Sequence, residues 1–498
     1  MGSLYVYDPW PTAVDTNGLC GPLVATKAAC MQEKNGDFSL SIEHPIDDWG
    51  KWAKLTEGNL VKADVPLRTP PEINHTTGAI ITSIYAATVQ NVSGAARSVT
   101  QFAGNGGIRY AILPVGASVY VVDTIDEWRK VRWSRGCGWI AASSLNISGT
   151  ATTIPATVYG MESKVPAAKS RPQLFRITNV SLADSGVRAT ARHVYYDNSG
   201  ALVDFPDTGE MTCLTAVPNV VETADAVGEP RGYTNITTNA DTEGWQYDPV
   251  CEAMMSPSNG IVTLWNAILL RDLWNVYVLS EFQPSSGIVI EYAKNLLGVT
   301  CETNVDDVIV RVCPVGQTSK GKPLYVDPGV YSVDAHDITC GPYVDSPTMA
   351  DAYAVPHIRK IDYGSTIKAA GTTTAQVLAA RVKLIREALK EFSEKHVDLP
   401  QVTLSVDFLH LGDTAEYAQY KNLQNLFLHD TVRIKHPRLG IDVTTQVNST
   451  VWNCLTDRYD SIELGSVRKN YVRSRLAEWM VPGLASLRSY VDTISGLV

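Results

Sequence analysis

Period-two alternation, cut by turn residues, constrains this chain more than any other feature, and it is clearest from Leu423 to Gly465. Val432 and Ile434 alternate with Arg433 and Lys435, so a strand here has one apolar and one charged face. His436-Pro437-Arg438-Leu439-Gly440 supplies a break, because proline removes a donor and glycine tolerates positive φ. Ile441, Val443 and Val447 restart the alternation, and Ile462 with Leu464 make a third short strand. The expectation is an antiparallel meander within a small closed barrel. Nothing in the stretch groups side chains for chemistry.

At 498 residues the chain is too long for one core, and roughly three to five domains are expected. A net charge of −10 argues against a general DNA-binding surface, which needs basic patches. Nine cysteines at wide spacings, with no CxxC pair, read as free thiols of a protein folded in a reducing cytoplasm. The N-terminus lacks the basic and apolar regions of a signal peptide. The apolar window Ile261 to Leu279 is interrupted by Arg271, Asp272 and Asn275, so no membrane span is expected.

Asn35-Gly36 between Met31-Gln32 and Phe38-Ser39-Leu40-Ser41-Ile42 predicts a hairpin. Residues 79–148 read as a separate small β unit. Its Trp128-x-x-Val131 strand, Gly138-Trp139-Ile140 and Ser144-Leu145 close resemble the bacterial SH3 domain. Tyr120, Trp128, Trp133 and Trp139 are its candidate residues for binding cell wall or a partner, since aromatic faces suit peptide and glycan. The same residues could equally form its small core. Gln173 to Tyr196 returns to strand alternation, and Ile261 to Val278 is read as strand-like. One clear helix is expected from Thr374 to His396. Val377, Leu378, Leu384, Ile385, Ala388, Leu389 and Phe392 form its apolar stripe, with Thr373 or Thr374 as cap and Glu391–Lys395 as an i,i+4 pair.

The fold class expected is mainly β with α+β parts and several domains: two small antiparallel β-barrels plus an SH3-like β-barrel insertion. The first barrel is assigned to 1–75 and 155–200, the insertion to 79–148, and an α+β middle region to 201–365. An amphipathic helix and second barrel follow at 366–470, and a helical tail at 471–498.

No catalytic constellation emerges. His193 and Asp197 have the spacing of two zinc ligands, but no His-x-His or His-Glu-x-x-His completes a site. No cysteine stands in a setting that would activate a thiolate, and Cys137 lies between glycines in a turn. Asp47-Asp48 and Asp306-Asp307 read as solvated loop charges. Gly104-Asn105-Gly106-Gly107 lacks the Lys-Ser/Thr of a phosphate loop. No enzyme activity, metal or cofactor is expected.

Several segments occur in an order that resembles one family. They are Asn35-Gly36-Asp37-Phe38-Ser39-Leu40 with His44-Pro45, Gln173-Leu174-Phe175-Arg176-Ile177, and Ala191-Arg192-His193-Val194-Tyr195-Tyr196-Asp197. Arg271-Asp272-Leu273-Trp274, Gly287 to Leu296, Val310 to Gly316, and Leu428-His429-Asp430-Thr431-Val432 through Gly465 follow. This looks like the tail-associated, or prophage tail endopeptidase, family, whose members resemble baseplate hub proteins of tailed phages. The resemblance implies a homotrimeric ring at the tail tip of a phage, prophage or phage-like bacteriocin. Its implied partners are the tail tube and distal tail proteins, a spike or central tip protein, and the tape-measure protein. The implied location is the virion or particle tail tip, after synthesis in the bacterial cytoplasm. Many members continue into a peptidase domain. Here the chain stops soon after the last barrel, so a peptidoglycan hydrolase and a wall-binding module stand as rival readings.

Overall fold

The computed structural model describes residues 3–465 except 69, 82–83, 92–96, 102, 104–106, 134–135, 153–170, 206–208, 224, 243, 257–258, 281–284, 292–295, 305–307, 335, 351–352, 354, 365, 394, 396, 400, 409–425 and 437–440. The expected helical tail, the Pro437–Gly440 break, the Gly104–Gly106 run and Ala293-Lys294-Asn295 lie outside those residues. The protein is mainly β and divides into two units. Unit 1 comprises Met1–Leu297, Val406–Val432 and Gln446–Glu463; unit 2 comprises Gly298–Ser405, Arg433–Thr445 and Leu464–Val498.

Unit 1 is built on the expected hairpin. Strands β1 (Tyr5–Tyr7), β2 (Lys27–Glu33), β3 (Phe38–His44) and β4 (Leu60–Val65) come first. Asn35 takes φ 53° in the turn between β2 and β3, and its side chain bonds both Ala267 O and Leu269 N. Alternation buries Ala28 and Cys30 on one strand and Phe38, Leu40 and Ile42 on the other. Apolar burial of this kind, roughly 25 cal/mol per Å², is what fixes the register. Seven further strands form a separate antiparallel sheet: β5 (Ile84–Val89), β6 (Ser98–Thr100), β7 (Arg109–Ile112), β8 (Ser118–Ile125), β9 (Trp128–Trp133), β10 (Gly136–Ala141) and β11 (Leu145–Thr152). Their order is β11-β5-β8-β9-β10-β6-β7. The chain then returns as β12 (Arg171–Ala183) and β13 (Gly186–His193), and the parent sheet runs β1-β4-β12-β13-β3-β2.

No sheet closes into a barrel among the described residues, contrary to the closed barrels expected. One reason is visible at β1. Its outer edge is occupied by a loop, with Leu19 N bonded to Val6 O and Leu23 N to Leu4 O, so no further strand can pair there.

The remainder of unit 1 holds β14 (Leu202–Phe205), β15 (Gly209–Thr212), β16 (Gly232–Thr234), β17 (Asn239–Thr242), β18 (Trp245–Pro249), β19 (Ile268–Asp272) and β20 (Asn275–Leu279). The apolar window read as strand-like begins instead with a helical turn, Ile261–Leu264, which buries Ile261 and Val262. Asn266, at φ 46°, ends it before β19, so a short helix and a hairpin share one apolar run. The last strands return to this unit: Ala29–Glu33 of β2 pairs antiparallel with Ser449–Asn453.

In unit 2 the central strand Arg311–Gln317 pairs antiparallel with Pro323–Tyr325 and Val344–Asp345, and in parallel with Ile358–Asp362. The expected helix runs Thr374–Ser393. Thr373 Oγ1 accepts from Gln376 N, and Gln376 Oε1 accepts from Thr373 N and Oγ1, a reciprocal cap. Ala380, Leu384, Ile385, Ala388 and Phe392 face its core. Leu378 does not join that stripe and is 47% exposed, because it sits about 100° around the helix from Val377.

Candidate functional site: buried polar chain and inserted sheet

Four of the segments singled out in the sequence, those carrying Gln173, His193, Asp272 and Asp430, meet in unit 1 along one buried polar chain. His193 ends β13 and is fully buried, its ring stacked 4.2 Å from that of Phe38. Gln173 Oε1 accepts from Leu273 N at 2.8 Å and lies 2.9 Å from His193 Nε2. Nδ1 accepts from Tyr195 N. This network assigns the proton to Nε2 of a neutral imidazole. Burial, reinforced by Arg271, holds His193 well below the ordinary histidine range. Asp197 is held in two bonds, 2.7 and 2.8 Å, by Arg176. The two residues with zinc-ligand spacing are thus engaged in separate structural contacts.

The chain continues from Gln173 Nε2 to Asp272 Oδ1 at 2.9 Å, and Arg171 Nη1 donates to Asp272 Oδ2 at 3.1 Å. Burial alone would raise the Asp272 carboxyl, but Arg171, Gln173 and Arg132 outweigh it and hold it below the usual carboxylate range. Arg171 also donates to Arg68 O, and Arg68 pairs with Asp430. Burial pushes Asp430 up to about 6 despite that pairing. Beside it, His429 is fully buried at φ 74°, and burial with Lys34, Arg271 and Arg68 nearby lowers it to about 3. A narrow cavity of about 10 Å³, room for one water, is lined by Gln32, Phe38, Arg68, Arg271 and Leu428 among others.

Thiols show the opposite of activation. Burial pushes Cys251 up to about 11, and Cys213 and Cys454 up to about 12. Among the described residues no cluster of three or more His, Cys, Asp or Glu could hold a metal ion.

The inserted sheet meets the rest of unit 1 through charge. Arg132 on β9 pairs with Glu72, both buried. Lys130 Nζ donates to Tyr233 Oη at 2.6 Å and lies 3.9 Å from the centre of that ring, which stacks on Tyr277. The pairings of β8, β9 and β10 decide where the four candidate aromatics go. Tyr120 opposes Arg132, Trp139 opposes Lys130, and Trp128 lies two residues before Lys130, so all three share the docked face. Trp139 is 1% exposed there, while Tyr120 and Trp128 are half-buried. Trp133 lies on the opposite face, against the sheet's own core. Opposite it stands Gly136, where a Cβ would come within 2.9 Å of the indole.

Sequence reading missed Arg68, Glu72, Lys130, Arg132 and Tyr233. Only the unusual charges inside alternating strand β9, at Lys130 and Arg132, signalled a buried polar face.

Residues 284–474, less than half of the chain, match the family model described as prophage endopeptidase tail. The match supports a structural role in a phage tail and a place in the virion tail. It bears out the resemblance to that family read from the sequence. Three solved structures are similar at low identity. Prophage tail protein gp18 from Listeria monocytogenes EGD-e shares 12% identity at TM-score 0.44, over 97% of this chain and 99% of that one. The 43 kDa tail protein of prophage MuSo2 from Shewanella oneidensis shares 8% at 0.39, over 93% and 97%. A tail protein from Neisseria meningitidis MC58 shares 11% at 0.37, over 77% and 97%. At these TM-scores the likenesses fix no function. No curated protein sequence matches.

Proposed function

We propose that the chain is a tail-tip hub: three copies form a ring that caps the tail tube and leaves a channel for the tape-measure protein and then the genome. Distal tail proteins and a spike or central tip protein bind its two sides. The match of residues 284–474 to a prophage-tail family carries this reading. It agrees with polar side chains spent on joining distant segments rather than gathered in an open cleft. With a net charge of −10, an acidic channel wall would repel DNA and let it pass. The mass of the purified protein, with electron-microscope images of the particles, tests the proposal. Rings of three copies are expected, and a monomer at all concentrations overturns it.

The family description itself includes an endopeptidase, which favours peptidoglycan hydrolysis as a second reading. A zymogram on purified peptidoglycan decides between them, since clearing by the pure chain would establish the enzyme. The SH3-like reading of 79–148 adds wall binding, for which Tyr120, Trp128 and Trp133 are partly exposed while Trp139 is buried. Deleting those residues separates the roles: lost wall binding with intact rings supports recognition, and lost rings support a brace.

A further inference from the structure

We propose that strand Ile358–Asp362 of one copy docks on the β14–β18 ribbon of a second copy, making a head-to-tail contact. The inference rests on the ring reading and names an interface for it.

The strand pairs with Arg311–Val315 along one side only, and no strand pairs with its other side among the described residues. Ile358 is 53% exposed, and Arg359 and Lys360 are exposed beside it. Neither cation has a carboxylate within ion-pair distance among the described residues. Such an edge presents free backbone donors and acceptors, while its two cations deter pairing with any strand that is not acidic.

The ribbon has the complementary chemistry. Leu202 and Asp204 lie on its exposed side. The register shifts between Val203–Asp248 and Asp204–Gln246, leaving Tyr247 as the extra residue of a bulge. Tyr247 takes φ 60° and is 64% exposed, a conformation costly for a bulky residue and typical of sites where strain serves a role. The ribbon's strands contain Asp204 and Asp248 and no lysine or arginine. The exposed Tyr247 ring and the Asp204 carboxylate suit a guanidinium and an ammonium beside isoleucine, while Asp248, opposite buried Val203, is half-buried. Because the two patches belong to different parts of the chain, the contact is heterologous, and repeating it generates a ring when the rotation closes.

The test is the mass of the full chain by light scattering across a concentration series. It compares the wild type, Lys360→Asp, Asp204→Lys, Tyr247→Ala and the double variant Lys360→Asp/Asp204→Lys, each with an unchanged circular dichroism spectrum. Each single change is expected to weaken self-association by about tenfold or more, and the double variant to recover most of it. A wild-type oligomer whose mass survives all the single changes, or a double variant that recovers nothing, overturns this interface and leaves the ring reading standing. A monomeric wild type overturns both.

Discussion

Arg68 and Asp430 are 362 positions apart in sequence, yet Nη2 and Nε of the arginine lie 2.5 and 2.7 Å from Oδ1 of the aspartate. The carboxylate is fully buried, and its other oxygen accepts from Phe427 N. The pair fastens the segment after β4 to the loop before strand Thr431–His436, while β2 pairs with strand Ile441–Asn453. Removing one partner of a buried pair leaves an uncompensated charge, which costs about 3–5 kcal/mol. Arg68→Ala is therefore expected to lower the first thermal transition of the protein strongly. Replacing both residues, Arg68→Met with Asp430→Leu, is expected to recover most of that loss. Equal melting of wild type and Arg68→Ala would show that the pair holds nothing.

Acid has two opposite effects at the neighbouring positions 429 and 430. His429 has its folded value lowered to about 3, so its contribution is complete above an unfolded value of about 6.5 and is lost as pH falls toward 3. Asp430 is raised to about 6, so its contribution is complete below an unfolded value of about 4 and is lost as pH rises through 6. The histidine spans the wider interval, roughly 5 kcal/mol against roughly 3, and the net trend from this corner is loss of stability on acidification. His429→Phe is expected to reverse the trend between pH 6.5 and 4, because the Asp430 contribution that remains grows as pH falls. Asp430→Asn is expected to steepen it. Denaturant midpoints at half-unit pH steps give both slopes.

At the inserted sheet, the buried Arg132–Glu72 pair predicts coupling between strand β9 and the segment after β4. Arg132→Leu and Glu72→Leu alone each strand a buried charge and cost about 3–5 kcal/mol, whereas the double change costs less than either. Proteolysis within residues 84–152 reads the same effect, with faster cleavage in the single variants. Additive losses in the double variant would mean that the two side chains do not act together.

Much of the strand pattern was legible because alternation is a local property. Val432, Ile434, Ile462 and Leu464 are buried where period two places them, and Asn35-Gly36 makes its hairpin. The partners of the polar residues were not legible. Nothing near Gln173 indicates that its amide meets Asp272, and nothing near Arg68 indicates Asp430, since such contacts are set by topology rather than by neighbours in sequence. The four aromatics of the inserted sheet were visible as residues, but their division between faces required the register of β8, β9 and β10. Leu378 shows the limit of composition even in a well-predicted helix.

That helix gives a prediction in which two leucines six residues apart behave differently. Leu384 is fully buried against Ala380, Ala388 and the strands of unit 2, whereas Leu378 is nearly half exposed. A Cβ on Gly316, in the central strand, would come within 3.2 Å of both Leu384 methyl groups, so the leucine fits into space that only glycine leaves. Leu384→Ala removes buried methyl groups and opens a cavity, at a cost of about 2–5 kcal/mol. Leu378→Glu changes an exposed position of a helix and is expected within about 0.5 kcal/mol of the wild type. Gly316→Ala pushes from the other side and is expected to cost about 1–3 kcal/mol by overpacking. Thermal melts of the three variants check the order Leu384→Ala, Gly316→Ala, Leu378→Glu. A large loss for Leu378→Glu would mean that this leucine is covered in the assembled protein, which is the outcome expected of a subunit interface rather than of a free surface.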